Sequence, residues 1–344
     1  MKKHLRYIIG CAVILLLIVS IAGYMVYMAI LAPVVKNEQT TYVQITPNDN
    51  IHSIEKMLSS TVSFKTMAGF APLMNYYRYD TRIKPGNYAI RPGDSMRDLC
   101  LRLLSGNQTP VKLVIPSVRT LDRLASAVSK QLMTDSASIM TMLTNKHLLD
   151  SLGYTTKTIP SLFIPNTYEV YWTMTPDQFV ARMLKEHKRF WTPSRIAKAQ
   201  AQGLTPNEVM TLASIVDEET AKDDEKPRVA GLYLNRLRRG MLLQADPTVK
   251  FALGDFELRR ILYAHLQTDS PYNTYKYAGL PPGPIRIPSM AAIESVLNPA
   301  KHTYIYMCAK EDFSGYHNFA STLTQHNANA RRYQQALNRL GIKK

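Results

Sequence analysis

Cysteine is scarce in this sequence, and its few copies form no recognisable site. Only Cys11, Cys100 and Cys308 occur in 344 residues. They supply neither the even set of a disulfide framework nor the paired spacing of a zinc site. Cys11 is interpreted as a lipid-facing thiol. Cys100 and Cys308 are interpreted as buried thiols, and a disulfide between them stays open as the alternative. We therefore expect no metal.

The loops that bind nucleotides or activate a serine are also missing. The sequence contains no G-x-x-x-x-G-K-[ST], no G-x-G-x-x-G and no G-x-S-x-G. Each of these motifs places backbone N–H groups or a nucleophile at a strand-to-helix turn. We therefore expect no cofactor and no serine-hydrolase chemistry.

Acidic residues are the minority among the charged residues. The chain has 26 Asp and Glu against 42 Lys and Arg, which gives a formal net charge of +16. A basic excess of this size indicates an anionic partner. No nucleic-acid-binding motif accompanies it, so we expect no nucleic acid. An anionic lipid surface or an anionic cell-wall polymer fits better.

One long apolar run lies near the N-terminus. Residues Tyr7 to Ala32 carry no charge and exceed the ~20 residues that cross a bilayer. No convincing cleavage site follows, so we predict an uncleaved single-pass anchor. Basic residues precede the run more densely than they follow it. By the positive-inside rule, residues 1–6 are cytoplasmic, 7–32 span the cytoplasmic (inner) membrane, and the rest is periplasmic.

Residues 40–132 repeat a pattern of short strand, polar turn and helix. The three copies read "YVQITPNDNIHSIEKML", "YAIRPGDSMRDLCLRLLSG" and "VKLVIPSVRTLDRLASAV". In the second copy, Asp94 or Ser95 can cap a helix that Gly106 ends. The unit, and "YAIRPGDSMRDL" above all, resembles the LysM family of small glycan-binding modules. A plain αβ packing domain is the alternative.

The remaining chain divides into a connecting part and a C-terminal domain. Residues 133–204 are mostly helical and are predicted to edge a cleft. Residues 205–344 open on the capping box Thr205-Pro206-Asn207-Glu208 and contain further helices, a turn-rich run, a strand at Thr303 to Ala309 and a last helix after Ser321. The predicted fold class is α+β: a transmembrane helix, one or more LysM-like αβ subdomains, and a mixed α+β catalytic domain.

The stretch "IVDEET" places three carboxylates at the end of an apolar helix. Val209, Leu212, Ala213 and Val216 define its predicted buried stripe. At ~100° per residue, Glu218 points away from this stripe into solvent, whereas Glu219 falls close to Leu212. Burial beside apolar surface raises a carboxyl pKa, as a general acid at neutral pH requires. Geometry alone favours an ion pair or a cap over catalysis for such a carboxyl group.

Three stretches of the C-terminal third resemble the YceG-like family of endolytic murein transglycosylases. They are "LASIVDEETAKDDEKPRVAGLYLNRLRRGMLLQADPTVKFALG", "YNTYKYAGLPPGPI" and "HNFASTLTQHNANARRY". The family motif reads approximately I-[IV]-E-K-E-T, and its second Glu is the catalytic residue. The resemblance therefore implies a catalytic role for Glu219. Asp217 replaces the first Glu of the motif, and "IPSVRT" at Ile115 to Thr120 departs from the Glu-Gly of many relatives.

The family's reaction cuts the β-1,4 bond between N-acetylmuramic acid and N-acetylglucosamine without water. The muramic acid C6 hydroxyl attacks its own C1, which leaves a 1,6-anhydro end and requires one essential carboxylate. The resemblance implies that Glu219 acts first as the acid and then as the base. Two alternatives stay open: a peptidoglycan-binding scaffold without activity, and a muramidase that uses water and two carboxylates.

Further candidate residues follow from side-chain chemistry and from the matched motifs. Aromatic, amide and hydroxyl groups suit sugar rings and N-acetyl groups. The predicted substrate-binding residues are Tyr272, Asn273, Thr274, Tyr275, Gln244 and Asn235. The predicted supporting residues are Asp217, Asp246, His317, His326 and Asn327. For Asp246, which precedes Pro247, we expect a helix cap. Expected partners are peptidoglycan strands, the cytoplasmic membrane and, as candidates, peptidoglycan synthases (penicillin-binding proteins).

Overall fold

The computed structural model describes residues 2–258 and 260–341. The helices in these residues are α1 (Lys2–Val26), α2 (Ile51–Thr61), α3 (Phe70–Tyr76), α4 (Met96–Ser105), α5 (Leu121–Ser129), α6 (Ser136–Leu143), α7 (Lys146–Leu152), α8 (Pro176–Phe190), α9 (Pro193–Ala201), α10 (Pro206–Glu219), α11 (Lys226–Arg238), α12 (Asp246–Leu253), α13 (Tyr263–Leu266), α14 (Met290–Leu297) and α15 (Leu323–Arg339). The strands are β1 (Thr41–Ile45), β2 (Gly86–Ile90), β3 (Val111–Ile115), β4 (Asn166–Val170), β5 (Tyr306–Ala309) and β6 (His317–Ala320). The predicted α+β class is confirmed.

The N-terminal helix is the apolar element that the sequence predicted. Helix α1 continues through a π-helical turn, Tyr27–Leu31, and its side chains are exposed along most of its length. Within the described residues, His4–Leu31 is the one helix long and apolar enough to cross a membrane, with a mean hydropathy of 2.6. Its orientation stays a prediction.

The chain divides into two compact units. The first unit comprises Met1–Leu113, Gln131–Met133 and Glu169–Met174. The second unit comprises Val114–Lys130, Thr134–Tyr168 and Thr175–Lys344. The chain passes from one unit to the other within β3 and within β4. The domain boundaries proposed from the sequence stay predictions.

The predicted strand, turn and helix pattern occurs three times, as β1 with α2, β2 with α4, and β3 with α5. In the first unit β1 pairs antiparallel with β2, from Thr41 opposite Ile90 to Ile45 opposite Gly86. Helix α4 has Ser95 as its N-cap and ends at Gly106, which has a φ of 71°. Only glycine adopts this left-handed conformation at little cost, so it stops the helix there.

The core of the second unit is built around α10. Every residue from Val209 to Val216 is buried, because α9, α11, α12 and α14 all contact this helix. Small and apolar side chains permit this close approach on several sides. The capping box of Thr205 and Glu208 fixes the start of the helix, as predicted. Its last residue is Glu219.

The C-terminal part of the second unit is a hairpin covered by a helix. Strands β5 and β6 pair antiparallel, from Tyr306 opposite Ala320 to Ala309 opposite His317, and α15 packs on them. The strand predicted from Thr303 begins only at Tyr306, because the partner strand ends at Ala320. The predicted last helix is confirmed.

Candidate active site

Glu219 ends α10 at the edge of a cavity in the second unit. The following residue, Thr220, is extended, so the helix stops immediately after the carboxylate. Glu219 is partly exposed, although the eight residues that precede Asp217 in the helix are buried. The helix therefore projects a carboxyl group from the core into accessible space.

The carboxyl of Glu219 has a perturbed acidity and a tyrosine partner. The hydroxyl of Tyr233, on α11, donates to Glu219 Oε1 at 2.5 Å. The pKa of Glu219 is raised to about 7, chiefly by burial; the Tyr233 hydrogen bond and Arg236 oppose the rise, and the Asp246 carboxylate adds to it. Near neutral pH the group can therefore both give and accept a proton.

Tyr233 remains a hydrogen-bond donor to Glu219 throughout the neutral pH range. Its side chain is almost fully buried, and both burial and the neighbouring Glu219 raise the pKa of its hydroxyl well above the usual value. The hydroxyl therefore stays protonated near neutral pH. Because it occupies Oε1 of Glu219, the other carboxyl oxygen is left for a substrate.

Two adjoining cavities share Glu219, Asp246 and Cys308. The larger has a volume of about 1140 Å³ and the smaller about 210 Å³. The larger exceeds the ~300–1,000 Å³ of most small-molecule pockets, so it can take an extended substrate. The other residues around it include Glu218, Pro247, Lys250, Asn327, Arg331, Tyr333 and Gln334.

Asp246 does not cap α12, contrary to the expectation from the sequence. It is the first residue of the helix, and the N-cap position is Ala245, which makes no side-chain cap. The Asp246 carboxylate instead accepts a hydrogen bond of 2.5 Å from the Tyr275 hydroxyl. Burial, and then this carboxylate, raises the pKa of Tyr275. Asp246 is thus a second carboxylate on the cavities of Glu219, and it too accepts a hydrogen bond from a tyrosine hydroxyl.

Of the four residues in the tyrosine-rich turn, Tyr275 alone lines a cavity containing Glu219 in the described part of the chain. Tyr272 packs on Phe251 with ring centroids 4.7 Å apart. Asn273 and Thr274 are buried, and their side chains bond to neighbouring protein atoms. Direct sugar contacts from Asn273 and Thr274 are therefore not supported, because their side-chain polar groups already bond to other protein atoms. Tyr272 is also buried and lines neither cavity of Glu219.

Gln244 and Asn235 line two different cavities. Gln244 lines the smaller cavity, and its Oε1 accepts a bond of 3.3 Å from Arg236 Nη1. Asn235 lines a different cavity, and its amide donates to the carbonyls of His302 and Tyr304. Its predicted role in binding substrate beside Glu219 is therefore not supported.

His317 lies on the smaller cavity and is held by a glutamate that the sequence analysis missed. The His317 ring Nδ1 lies 2.9 Å from Glu225 Oε2, and the His317 backbone N–H donates to Glu225 Oε1 at 2.7 Å. The Glu225 side chain is almost fully buried. Its place in the acidic run after "IVDEET" was the available signal, but its partner is 92 residues away.

His326 and Asn327 occupy different surroundings. His326 stacks on Tyr306, with centroids 5.2 Å apart, and burial lowers its pKa. Its Nδ1 is buried without a hydrogen-bond partner among the residues described. Asn327 is exposed and lines the larger cavity. Of these two residues, only Asn327 therefore lines the larger cavity together with Glu219.

Asp217 and Glu218 form ion pairs beside the site. Asp217 Oδ1 lies 2.9 Å from Lys226 Nζ, and Asp217 also accepts from the backbone and hydroxyl of Ser289. Burial by itself raises the pKa of Asp217, but these bonds outweigh it and hold the pKa below its usual value. Asp217 therefore stays ionised and braces α10.

Glu218 does not point into solvent as the helical wheel predicted. Its side chain is 12% exposed and accepts two bonds of 2.8 Å from Arg119, together with one of 2.9 Å from Arg286. A helical wheel describes the faces of a single helix. Arg119 and Arg286 belong to other segments, which the fold places next to the end of α10. Arg119 belongs to the "IPSVRT" stretch that departs from the family pattern.

No group of three His, Cys, Asp or Glu side chains that could hold a metal ion occurs in residues 2–258 and 260–341. All three cysteines are free thiols. Burial raises the pKa of Cys308, which lines both cavities. The absence of metal and cofactor in the reaction stays a prediction.

A family model and several known proteins are similar in sequence to this chain. The model of the YceG-like family matches residues 43–332. An endolytic murein transglycosylase of Bacillus subtilis (strain 168) is 25% identical over 329 residues, which cover 90% of this chain and 89% of the relative. One of Streptococcus pneumoniae (strain D39) is 28% identical over 341 residues, covering 89% of this chain and 62% of that relative.

A solved structure supports the same relationship at the level of the fold. The crystal structure of a yceG-like protein from Listeria monocytogenes is similar to this chain with a TM-score of 0.57 and 27% identity. The similarity covers 85% of this chain and 99% of the Listeria chain.

Proposed function

The chain belongs to the YceG-like family, and we propose that it is a lytic transglycosylase that cleaves the glycan strands of peptidoglycan. The enzyme class is supported by its relatives in Bacillus subtilis and Streptococcus pneumoniae, which are named endolytic murein transglycosylases. The observation that carries the proposal is Glu219: a partly exposed carboxyl with a pKa of about 7, on a cavity large enough for a polymer.

In the proposed reaction Glu219 transfers one proton twice. Its protonated carboxyl gives the proton to the glycosidic oxygen, which leaves with the N-acetylglucosamine as the bond to C1 of N-acetylmuramic acid breaks. The C6 hydroxyl of the same muramic acid forms the new bond to C1. Its proton passes to the Glu219 carboxylate, which restores the acid. The nucleophile is intramolecular, for which effective molarities of ~10⁵–10⁸ M are known.

The neighbouring groups support this use of Glu219. The Tyr233 hydroxyl fixes one oxygen of the carboxyl, so the other can face the scissile bond. The Asp246 carboxylate lies on the same cavity, where negative charge stabilises an oxocarbenium-like transition state. Tyr275, Gln244, His317 and Asn327 are proposed to contact or position the sugars.

The test replaces Glu219 by an isosteric amide. Glu219→Gln should abolish 1,6-anhydro products from purified sacculi, detected by mass spectrometry, because the amide cannot transfer the proton. Glu208→Gln is the matched control on the same helix. Its amide oxygen can still accept the capping bond from Thr205, so its activity should equal that of the unaltered protein. Anhydro products from folded Glu219→Gln would refute the assignment.

A water-using muramidase is the second candidate, and Asp246 is the observation that favours it. Hydrolases of glycosidic bonds use two carboxylates, and Asp246 shares both cavities with Glu219. The chemical form of the released ends distinguishes the two reactions. Reducing muramic acid ends from the unaltered protein, lost in Asp246→Asn, would establish the muramidase instead.

We propose that α1 anchors the enzyme in the cytoplasmic (inner) membrane, with the N-terminus in the cytoplasm and the rest periplasmic. The exposed apolar side chains of His4–Leu31 support this arrangement. Activity at that surface falls on newly made strands, which fits termination of their growth. In a background of Cys11→Ser with Cys308→Ser, a membrane-impermeant thiol reagent should label Ser60→Cys in intact spheroplasts. Labelling only after lysis would contradict this topology.

For residues 40–132 we propose a LysM-like role as a contact to glycan. The order of β1, α2, α3 and β2, with antiparallel pairing of the two strands, supports a compact αβ unit but equally serves a purely supporting role. Peptidoglycan synthases (penicillin-binding proteins) are candidate partners, because they make the proposed substrate. Site-specific crosslinking from exposed positions of the first unit would identify such a contact.

A further inference from the structure

The segment that follows the predicted membrane span is fixed within the first unit. Val35 pairs with Phe64 in an antiparallel bridge, the Lys36 N–H donates to the Ser63 carbonyl, and the Lys65 N–H donates to the Val34 carbonyl. On its other side the segment is bonded as well: Pro33 pairs with Ser95, and two N–H groups donate to the Asp94 carbonyl.

These contacts leave no flexible linker between α1 and the first unit. Ala32, Val34 and Val35 are buried, and helix α4 packs against the π-helical turn Tyr27–Leu31. A hinge would need few buried contacts and exposed backbone groups. The first unit is thus attached directly to the end of the span, and its parts keep a fixed height relative to it.

The bridge also sets the direction of the chain from Ser63 to Gly69. Since the pairing is antiparallel, this stretch runs back along residues 36 to 29 toward the span. A Cβ added to Gly69 would lie 2.5 Å from the Ala29 carbonyl oxygen, so the two backbones are in close contact. Ala29 lies within the apolar helix His4–Leu31. The loop thus reaches the level of the last turn of the span.

The residues at this level have the composition of a membrane interface. Residues 67–74 read "MAGFAPLM" and contain no polar side chain. Phe70 and Met74 enter the core of the unit, whereas Ala68 and Pro72 are exposed. Lys65 precedes this run, and the exposed Tyr76 and Tyr77 follow it. Apolar residues flanked by Lys and Tyr are typical of segments that lie at the headgroup level.

We propose that residues 65–77, the interfacial segment, lie in the outer headgroup region of the bilayer and form a second membrane contact beside α1. The inference rests on the proposed anchoring by α1 but not on the proposed reaction. The segment would hold the first unit against the membrane instead of leaving it on a single helical stalk.

Charge identifies the lipid class that this surface fits. Lys36, Lys65 and Arg97 are exposed and belong to the segments that flank the end of the span. None of the three forms an ion pair with another described residue. Basic groups next to a span attract anionic headgroups. The interfacial segment therefore fits a leaflet that contains anionic phospholipid.

The test measures the depth of single labels in the full-length protein in vesicles. The background is Cys11→Ser with Cys308→Ser; Cys100 is retained, because it is 1% exposed and should not react. An environment-sensitive nitrobenzoxadiazole label is attached at Ala68→Cys, with Leu16→Cys reporting the span and the exposed Ser60→Cys as the control upstream of the bridge. Vesicles contain phosphatidylglycerol and phosphatidylcholine brominated at shallow or deep positions.

Emission at position 68 should fall with shallow bromines, emission at position 16 with deep ones, and emission at position 60 with neither. Quenching at 16 without more quenching at 68 than at 60 would overturn the second contact and leave the anchor intact. An unquenched label at 16 would overturn the anchor and the contact together. Lys65→Gln with Arg97→Gln should reduce quenching at position 68 only in vesicles that contain phosphatidylglycerol. If these two substitutions leave the quenching at position 68 unchanged in those vesicles, the assignment to anionic lipid is overturned.

Discussion

At the scale of single residues, the acidity of Glu219 is balanced between opposing neighbours. Burial and the Asp246 carboxylate disfavour the ionised form, while the Tyr233 hydroxyl stabilises it. The resulting pKa of about 7 lies well above the 4.5 of an ordinary glutamate. A general acid must be protonated at the start of the reaction, so activity should fall as the pH rises through this value.

The tyrosine can be removed without removing the acid. Tyr233→Phe deletes a hydrogen bond that lowers the pKa of Glu219, so the alkaline limb of the pH profile should move to higher pH. A hydrogen bond to a charged group contributes about 1.5–3 kcal/mol, and 1.36 kcal/mol corresponds to one pKa unit, so we expect a shift of roughly one to two units. The measurement is the pH dependence of anhydro-end release.

Tyr277→Phe provides the matched control for this shift. Tyr277 also donates to a carboxylate, Asp269, at 2.6 Å, but both residues are exposed and line neither cavity of Glu219. Its pH profile should equal that of the unaltered protein. An alkaline limb that stays in place in Tyr233→Phe would show that the hydroxyl does not tune Glu219.

Glu219 should also make the protein less stable at alkaline pH. Because its folded pKa is raised, its contribution is most favourable below about 4.5 and is lost as the pH rises through about 7. The cost of holding the ionised group in place reaches at most about 3 kcal/mol above that pH. Glu219→Gln should therefore raise the unfolding midpoint at about pH 8 more than at about pH 5. Equal shifts at both values would contradict a raised pKa.

At the scale of elements, α10 connects the core to the site. Its C-terminal turn is held by Asp217, whose pair with Lys226 leaves both side chains only 6% exposed. Lys226 is the first residue of α11, the helix that also carries Tyr233. The pair thus fixes the two helices whose side chains meet in the bond between Glu219 and Tyr233.

Breaking that pair from one side should be costly. Lys226→Met leaves the buried Asp217 carboxylate without its ammonium partner, and among the described residues only Arg286, whose Nε lies 3.4 Å away, remains as a cation beside it. Loss of one partner of a buried ion pair typically destabilises by about 3–5 kcal/mol, and because Arg286 remains we expect no more than about 3 kcal/mol. Lys146→Met is the control, because its pair with Asp150 is 84% and 59% exposed and should contribute less than about 1 kcal/mol. Urea unfolding measures both.

A second substitution distinguishes whether Lys226→Met loses stability through the Asp217 charge or through lost packing. In the Lys226→Met background, Asp217→Asn removes the charge that has lost its ammonium partner, and it keeps an oxygen for the bonds from Ser289. Stability should be partly recovered. If Asp217→Asn lowers stability further, the carboxylate is not the source of the loss.

Local patterns predicted what depends on neighbours in sequence. The capping box at Thr205, the end of α4 at Gly106 and the projection of Glu219 beside the apolar face all follow from spacing along one helix. The same reasoning failed for Glu218 and Asp246, because Arg119 and Tyr275 reach them from distant segments. Helical periodicity carries no information on such contacts.

At the scale of the whole molecule, composition predicted an apolar span and an anionic partner. It could not predict that the chain divides into two units, each built from separate stretches of sequence, since that depends on long-range packing. Nor could it predict where the positive charge acts. In the structure Lys250 and Arg331 line the larger cavity, and neither forms an ion pair with another described residue.

These two cations should bind the anionic groups of the glycan polymer. Lys250→Gln with Arg331→Gln should raise KM for sacculi by about three- to ten-fold with little change in kcat, since each exposed ion pair contributes ~0.2–1 kcal/mol. Raising salt from about 0.1 M to about 1 M shortens the screening length from ~10 Å to ~3 Å and should remove most of the difference. Lys198→Gln with Arg339→Gln changes the net charge equally, at residues that line neither cavity. If that control raises KM as much, the overall charge of the molecule, rather than the cavity, attracts the substrate.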